Sequence, residues 1–291
     1  MSIVIPTYYR NDRLRGAIES VASQKHPTEI IVVDDSGEGH AAPVTEKYDL
    51  TYIELDENIG SNPARTVGAN RASGAYVQFL DDDDRLLLGK FSRQVALLER
   101  TGAGVAYCGM TYENGTTVLP DSDVRGDVLA RALEFDMSPC LTSTMLADRS
   151  VLETALPLPD RPGGDDLGLM IELARETTFE YVDESLVRRG VIEGSRGKSD
   201  GLIRGRKEII REYDDRYREF PPSIRENALS YTYRLEGRME LREARWSSAA
   251  VAAFALACYH APSIRTVVPL FASLFGRVGL DAMQRAYSLV R

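Results

Sequence analysis

The sequence predicts an α/β protein with a mostly parallel central sheet flanked by helices, followed by an all-helical C-terminal extension. Three observations carry this. Over residues 1–110, short β-branched runs alternate with amphipathic helical stretches, the signature of βαβ units. The runs are apolar almost throughout, as strands covered on both faces are. Beyond residue 204 the pattern is helical, broken by Pro221-Pro222 and Pro262. A chain of 291 residues suffices for one large α/β domain and a helical appendage.

Taken in order, Ile3–Pro6 reads as a strand and Asp12–Gln24 as a helix with Leu14, Ile18, Val21 and Ala22 on one face. Glu29–Asp34 and Thr51–Leu55 are the next strands. Asn62, followed by Pro63, is placed to cap a helix that runs to about Ala72. Ala75–Leu80 is a strand, Leu88–Arg100 a helix and Gly104–Cys108 a further strand. Tyr112–Leu119 reads as a hairpin turning at Asn114-Gly115. Strands are expected at Leu141–Leu146 and Phe179–Val182, and helices at Arg125–Phe135 and Asp166–Glu176. Gly190–Gly205, with five glycines and mixed charge, reads as a loop. Helices are expected near 204–219, 223–244, 247–259 and 263–290.

Composition narrows the chemistry. Three scattered cysteines (Cys108, Cys140, Cys258) exclude a disulfide framework and a Cys-rich zinc site, and fit small buried residues in a reducing compartment. Three histidines leave catalysis to carboxylates. The net charge of −9 argues against a nucleic-acid partner. That charge is uneven. Residues 1–120 carry 11 basic against 17 acidic residues and 121–192 carry 7 against 15, whereas 193–291 carry 17 against 12. A basic tail on an acidic body suits an anionic partner such as a lipid headgroup, or a solvated helical face. Only 5 of the 35 basic residues are lysine, a usage that carries no mechanism. The start of the chain lacks the pattern of a signal peptide, and the apolar runs 249–259 and 267–275 fall short of the ~20 residues that cross a bilayer.

In an open parallel sheet, ligands sit beyond the carboxyl ends of the strands. Those ends read Pro6-Thr7-Tyr8-Tyr9-Arg10, Asp34-Asp35-Ser36 and Asp81-Asp82-Asp83-Asp84. No Gly-x-Gly-x-x-Gly follows the first strand and no Gly-x-x-x-x-Gly-Lys-Ser/Thr loop occurs, which disfavours a dinucleotide fold and a P-loop. Four aspartates after Val77-Gln-Phe-Leu80 exceed what a helix cap requires. Carboxylates so placed need a cation, and hard oxygen ligands suit Mg²⁺ or Mn²⁺ shared with phosphate. Asp34 and Asp35 can accept hydrogen bonds from a base or a ribose. Arg65, on the helix after Asn58-Ile-Gly60, can meet a base or a diphosphate.

Together these stretches resemble glycosyltransferase family 2, the inverting nucleotide-sugar transferases of the GT-A fold. The resemblance rests on Ser2–Arg10, Ala17–Gln24, Glu29–Ser36, Glu57–Gly60, Ala64-Arg65 with Gly68, and Gly74–Asp84, in order and spacing. It extends over about residues 2–195 and is strongest in the first hundred. It implies that Pro6, Thr7, Tyr8 and Arg10 line a nucleotide pocket and that one of Asp34 and Asp35 contacts the base. It places Arg65 beside the nucleotide, and makes Asp81 and Asp83 the Asp-x-Asp pair that holds Mn²⁺ or Mg²⁺, with Asp82 a candidate because the run of four leaves the register open. Gly163-Gly-Asp165-Asp166 resembles the family's Glu-Asp segment near the acceptor, with Asp165 in place of Glu; there the second acid, Asp166, is the general base. Val191–Ser195 lacks the histidine that members often carry before Gly-Ser, so Arg188, Arg189 or Arg196 is the candidate substitute.

The expected reaction is a single displacement with inversion. A sugar passes from a UDP-, GDP- or dTDP-linked donor to a glycan, polysaccharide or lipid-linked hydroxyl, and closure of the 190–205 loop excludes water. The expected division is 1–203 for the catalytic domain, with a donor half to about 110 and an acceptor half from 111, and 204–291 for the helical subdomain. The expected location is the cytoplasm, with a peripheral position at the inner face of the membrane as a variant. A nucleotidyltransferase would want a Gly-rich basic loop where Tyr8-Tyr9-Arg10-Asn11 stands. A glycoside hydrolase leaves the aspartate run unexplained, and retention of both Asp83 and Asp166 speaks against a non-catalytic binding protein. In the tail, Val251, Phe254, Leu270, Phe271, Leu274 and Phe275 accompany Arg245, Arg265, Arg277 and Arg285. They form either an interfacial helix pair or a packed hairpin with arginines outside.

Overall fold

The computed structural model describes residues 1–190 and 200–288. Among these, one compact unit takes 1–132, 137–161 and 165–190; a second takes 133–136, 162–164 and 200–288. The first unit runs β1 (Ser2–Thr7), α1 (Asn11–Ala22), β2 (Glu29–Asp34), α2 (Ala42–Thr45), β3 (Thr51–Glu54), α3 (Ser61–Arg71) and β4 (Tyr76–Phe79). It continues with β5 (Arg85–Leu86), α4 (Lys90–Thr101), β6 (Val105–Tyr112), β7 (Thr117–Val118), α5 (Leu129–Leu133), β8 (Leu146–Asp148), α6 (Arg149–Thr154), α7 (Asp165–Glu176) and β9 (Phe179–Arg189). Strands and helices alternate in this unit as the sequence predicts, and an all-helical C-terminal extension follows it in the chain.

The strand order is β3-β2-β1-β4-β8-β6-β9-β5, with β7 paired to β6. Strands β1 to β4 pair in parallel, as do β6 and β9, while β8 lies antiparallel to both β4 and β6. The sheet is therefore mixed, two parallel blocks joined by one short reversed strand. Ile3, Ile5 and Val32 meet Leu14, Ile18 and Val21 of α1 in a core without solvent exposure. Each such side chain contributes about 1.5–3 kcal/mol. This packing fixes the register Thr7↔Asp34 and Val4↔Phe79, and the backbone bonds Asp35 N–H to Thr7 O and Leu80 N–H to Val4 O extend it. The ends of β1, β2 and β4 thus arrive at one edge.

The join between the blocks is reinforced by side chains. Lys90 is fully buried, and its amine donates to the amide oxygens of Gln78 on β4 and of Gln94 one turn along α4 (2.6 Å to Gln94). With their oxygens held, the two buried amide nitrogens are turned away from the amine. That of Gln78 donates to Thr142 O (2.8 Å), and that of Gln94 to Ala106 O and Thr144 O (2.9 Å each).

Several elements differ from their expected bounds for local reasons. The strand expected at 141–146 begins at Leu146, because the Thr144 hydroxyl donates to Pro139 O and Leu141 O and holds 141–144 in a turn. The helix expected over 125–135 shortens to α5, since Gly126 is bridged to Phe179 and the Asp127 carboxylate caps Leu129 N–H. Strand β9 runs seven residues past the expected Val182, with register shifts opposite Gly109 that absorb the exposed Asp183-Glu184 pair. The cap of α3 is Gly60, and the Asn62 side chain instead donates to Pro159 O.

The second unit holds α8 (Asp200–Glu212), α9 (Asp214–Tyr217), α10 (Pro222–Glu243), α11 (Ser248–His260), α12 (Ile264–Ser273) and α13 (Gly276–Ser288). The loop expected over 190–205 gives way to α8 from Asp200, and residues 191–199, with Arg196, lie outside the described residues. The helix expected over 263–290 is two. Gly276, at φ +64°, breaks it, and a Cβ there would sit 2.2 Å from Arg245 O. Leu241, Ala250, Phe254 and Leu280 form the core of this unit, and the Arg206 guanidinium lies over the Tyr231 ring at 4.6 Å. Phe254 is inside, whereas Phe271, Leu274 and Phe275 are exposed, so the packed hairpin with arginines alone outside does not describe α12 and α13. No helix among the described residues is long and apolar enough to cross a membrane.

Candidate active site

The four aspartates that leave β4 point in different directions. Asp82 turns inward, accepting from Thr7 Oγ1 (2.8 Å) and Arg10 Nη1 (3.1 Å). Asp81 accepts from Arg65 Nη2 at 2.7 Å, while its own N–H donates to Ser143 Oγ. Asp84 accepts from Gly190 N–H (3.0 Å), an approach that a side chain at 190 would block, since its Cβ would lie 2.4 Å from Asp83 O. Carboxylate oxygens of Asp81, Asp83 and Asp84 lie within 4.8 Å of one another. The sequence pointed to Asp81 and Asp83; it missed Asp84, because a run of one residue type does not say which members share a face.

The electrostatics of the trio suit a cation. Burial and the charge of Asp81 push the Asp84 carboxyl up to about 7. Burial, then Asp81, pushes Asp83 up as well. Asp81 escapes this: burial alone would raise it, but Arg65, then Arg189 and Arg10, hold it below the ordinary carboxylate value. Burial carries Asp82 to about 6 against the pull of Arg10 and Thr7. Three hard oxygen donors, two of them pushed toward protonation by burial and by the charge of Asp81, fit Mg²⁺ or Mn²⁺.

Arg65 ties this cluster to the start of α7. It is buried on α3, bonded to Asn62 Oδ1 (3.0 Å) and Asp81, with Asp165 Oδ2 at 3.8 Å. Ser61 Oγ donates to the same Asp165 oxygen at 2.6 Å. The expected donor-side arginine is thus already held between two acids. Next to Asp165, Asp166 is half-buried at the N-terminal turn of α7. Burial raises its carboxyl above the ordinary value; Arg189 opposes this and Asp165 adds to it. Of the arginines considered for the missing histidine, Arg189 at the end of β9 faces Asp84, Asp81 and Asp166, whereas Arg188 is exposed and pairs with Arg85 in the β5–β9 ladder.

The first two strand ends supply the remaining predicted residues. Asp34 is fully buried, accepting from Ser36 N–H (3.1 Å), Ala41 N–H (2.6 Å) and Tyr52 Oη (2.8 Å). Asp35 accepts from Ile59 N–H (2.7 Å), Gly60 N–H (3.0 Å) and Asn58 Nδ2 (3.1 Å). Both carboxylates therefore shape the turns that carry their neighbours. Pro6 is half-buried at the end of β1. Tyr8 and Tyr9 are exposed, edge to face at 4.7 Å, and Tyr9 sits at φ +54°. A non-glycine residue in that conformation costs on the order of 1–3 kcal/mol, spent here on turning two aromatic rings outward over the strand ends. Exposed aromatic rings, a half-exposed arginine and an acidic trio on one edge can receive a planar base at one end and a diphosphate with its cation at the other.

Comparison with known proteins agrees with this geometry. A relative in Campylobacter jejuni, GalNAc(5)-diNAcBac-PP-undecaprenol beta-1,3-glucosyltransferase, is 34% identical over 114 residues, 37% of this chain and 36% of that one, so the chain spans about a third of that relative's length. Among solved structures, TarS 1–349 of S. aureus in complex with UDP-GlcNAc superposes with a TM-score of 0.62 at 18% identity, covering 93% of this chain and 90% of that one. The mannosyltransferase PcManGT of Pyrobaculum calidifontis, in complex with GDP-Man and Mn²⁺, gives 0.59 at 18% identity, covering 99% and 80%. The sequence model of Glycosyl transferase family 2 matches residues 2–154, the stretch from β1 to α6 that contains the aromatic strand end, Arg65 and the aspartate run, and the chain belongs to that family of glycosyltransferases.

Proposed function

We propose that this glycosyltransferase moves a sugar from a UDP-, GDP- or dTDP-linked donor to a hydroxyl of a glycan or lipid-linked saccharide, with inversion at the anomeric carbon. The observation that carries the reading is the link Asp81–Arg65–Asp165, which sets the acidic trio beside the candidate base Asp166. Tyr8 and Pro6 at the end of β1, with Arg10 reaching in from the start of α1, receive the nucleotide, while Asp34 and Asp35 hold the turns on which the base rests. Asp81, Asp83 and Asp84 would hold Mg²⁺ or Mn²⁺, which when bound would offset charge on the donor's diphosphate. Asp82 fastens Arg10 and Thr7 in place. Asp166 takes the proton of the acceptor hydroxyl as its oxygen attacks, and its raised carboxyl makes it a stronger base than an ordinary surface aspartate. Arg189 limits that rise.

The relatives support both halves of the reading: one bears an undecaprenol-linked acceptor in its name, and two solved structures hold nucleotide sugars. A nucleotide-sugar donor and the buried free thiols of Cys108 and Cys140 fit a cytoplasmic enzyme. The test is a thermal-shift screen of UDP-, GDP- and dTDP-sugars with and without Mn²⁺, followed by product analysis with the donor that stabilises. Stabilisation by one nucleotide class that requires the cation is the expected result. No stabilisation by any donor, with cation present, would overturn the reading.

A further inference from the structure

We infer that the outer face of α12 and α13 docks this protein on an anionic lipid bilayer. Ile264 is 72% exposed, Phe271 62%, Phe275 76% and Val278 76%. Ile264, Phe271 and Phe275 follow helical spacing along one side of α12 and its end, and Val278 and Ala282 continue the face on α13. Between the two helices runs an apolar groove of about 530 Å³, bordered by Phe271 and Phe275 on one side and Val278 and Ala282 on the other. An apolar surface of this kind marks an interaction site.

Charge decides the occupant. From Arg245 to Ser288 the chain has four arginines (Arg245, Arg265, Arg277, Arg285) and one acid, Asp281, on a protein whose net charge is −9. Two copies meeting through this face would bring like charges together, which opposes self-association. A bilayer with anionic headgroups presents apolar depth to the phenylalanines and negative charge to the arginines, whose long stems let the guanidinium reach the headgroups. Trp246, 56% exposed with its indole N–H on Leu274 O just past α12, is an amphipathic aromatic that favours such a boundary.

The test uses the full chain and needs neither donor nor cation, so its outcome is independent of the transfer reaction. Flotation is measured with vesicles of phosphatidylcholine alone and of phosphatidylcholine with about a third phosphatidylglycerol, at low and high salt. The protein is expected to float with the anionic vesicles at low salt and less at high salt, because the arginines are then screened. Phe271→Asp with Phe275→Asp is expected to abolish flotation with an unchanged circular-dichroism spectrum, both side chains being outside the core. Arg265→Gln with Arg285→Gln is expected to lower partitioning by about fivefold per arginine. Failure of the wild type to float with anionic vesicles at low salt overturns the inference, as does undiminished flotation of the double Phe variant. A concentration-dependent dimer, lost in that variant and unaccompanied by flotation, assigns the face to a second copy instead.

Discussion

Replacing Lys90 by Met removes the amine that orients Gln78 and Gln94 without changing the volume of the site much. Burial lowers the Lys90 amine from an ordinary 10.5 to about 8, with partial relief from Cys108. That drop corresponds to roughly 3 kcal/mol of cost for holding the charge inside the protein. Against it stand two amide oxygens that the substitution leaves without a donor, at about 1–3 kcal/mol each. Near pH 7 the two effects oppose and the net change in stability is small. The pH dependence separates them. The unfolded chain binds the lysine proton more tightly than the folded one, so wild-type stability rises as pH climbs through the window from about 8 to 10.5. Between pH 7 and pH 9 the wild type should gain about 1.3 kcal/mol relative to Lys90→Met. Urea denaturation of both proteins at pH 7, 8 and 9 measures this difference, in which all other titrating groups cancel. A difference that stays flat, or that moves in favour of the mutant, would refute the argument that Lys90 is buried as a strained cation.

Three further outcomes are expected. Asp166→Asn should retain donor binding, measured by titration calorimetry, while transfer falls on the order of 10²–10⁴-fold; wild-type turnover would move the base to Asp165. Asp83→Asn should remove the Mn²⁺-dependent part of nucleotide stabilisation in a thermal-shift assay and leave the cation-free melting temperature close to wild type, since the residue lies at a strand end. Asp84, pushed up to about 7 from an ordinary 3.8, contributes stability below the lower value that is lost as pH rises through the upper one. The cation-free protein should therefore lose stability from pH 5 to pH 8, Mn²⁺ should restore more of it at pH 8 than at pH 5, and Asp84→Asn should flatten both trends.

The first four strands were legible in the sequence because each is an apolar run bounded by punctuation: Pro6-Thr7 ends one, Asp34-Asp35 another, the aspartate run a third. The strands after residue 110 were harder to read for a physical reason. Strand β8 is three residues long and takes its direction from β4 and β6, neither of them local in sequence. Strand β9 carries Asp183-Glu184 through its middle and survives because a bulge turns them to solvent. In the site, the aspartate run pointed to a cation cluster and the family resemblance to Asp166, but residue types alone did not sort the members of the run. Asp82 and Asp84 belong to one run of a single residue type, and only the folded chain sends one toward Thr7 and the other toward Gly190. Arg189 differs from Arg188 by one residue of strand pleat, which puts one among the acids and the other outside. Lys90 gave no signal, since a lysine opening a helix is ordinarily solvated.

The reversed strand at the centre of the sheet has a consequence for how the molecule opens. Strand β8 touches β4 through Tyr76↔Asp148 and Val77↔Ala147, and β6 through Val105↔Ala147 and Ala106↔Leu146. Few ladder bonds cross that line, and the amides of Gln78 and Gln94 supply much of what does. Partial unfolding is cooperative within well-paired segments and breaks at poorly paired ones. The β1–β4 block and the β6–β9 block are thus the natural units of transient opening, seen as two sets of amide exchange rates. The aspartate run leaves one block at β4, while Ser143 and Gly190, which hold Asp81 and Asp84, follow the elements of the other. A ligand on the acidic trio bears on both blocks through those two contacts, and its residence is expected to slow the opening of the sheet as a whole.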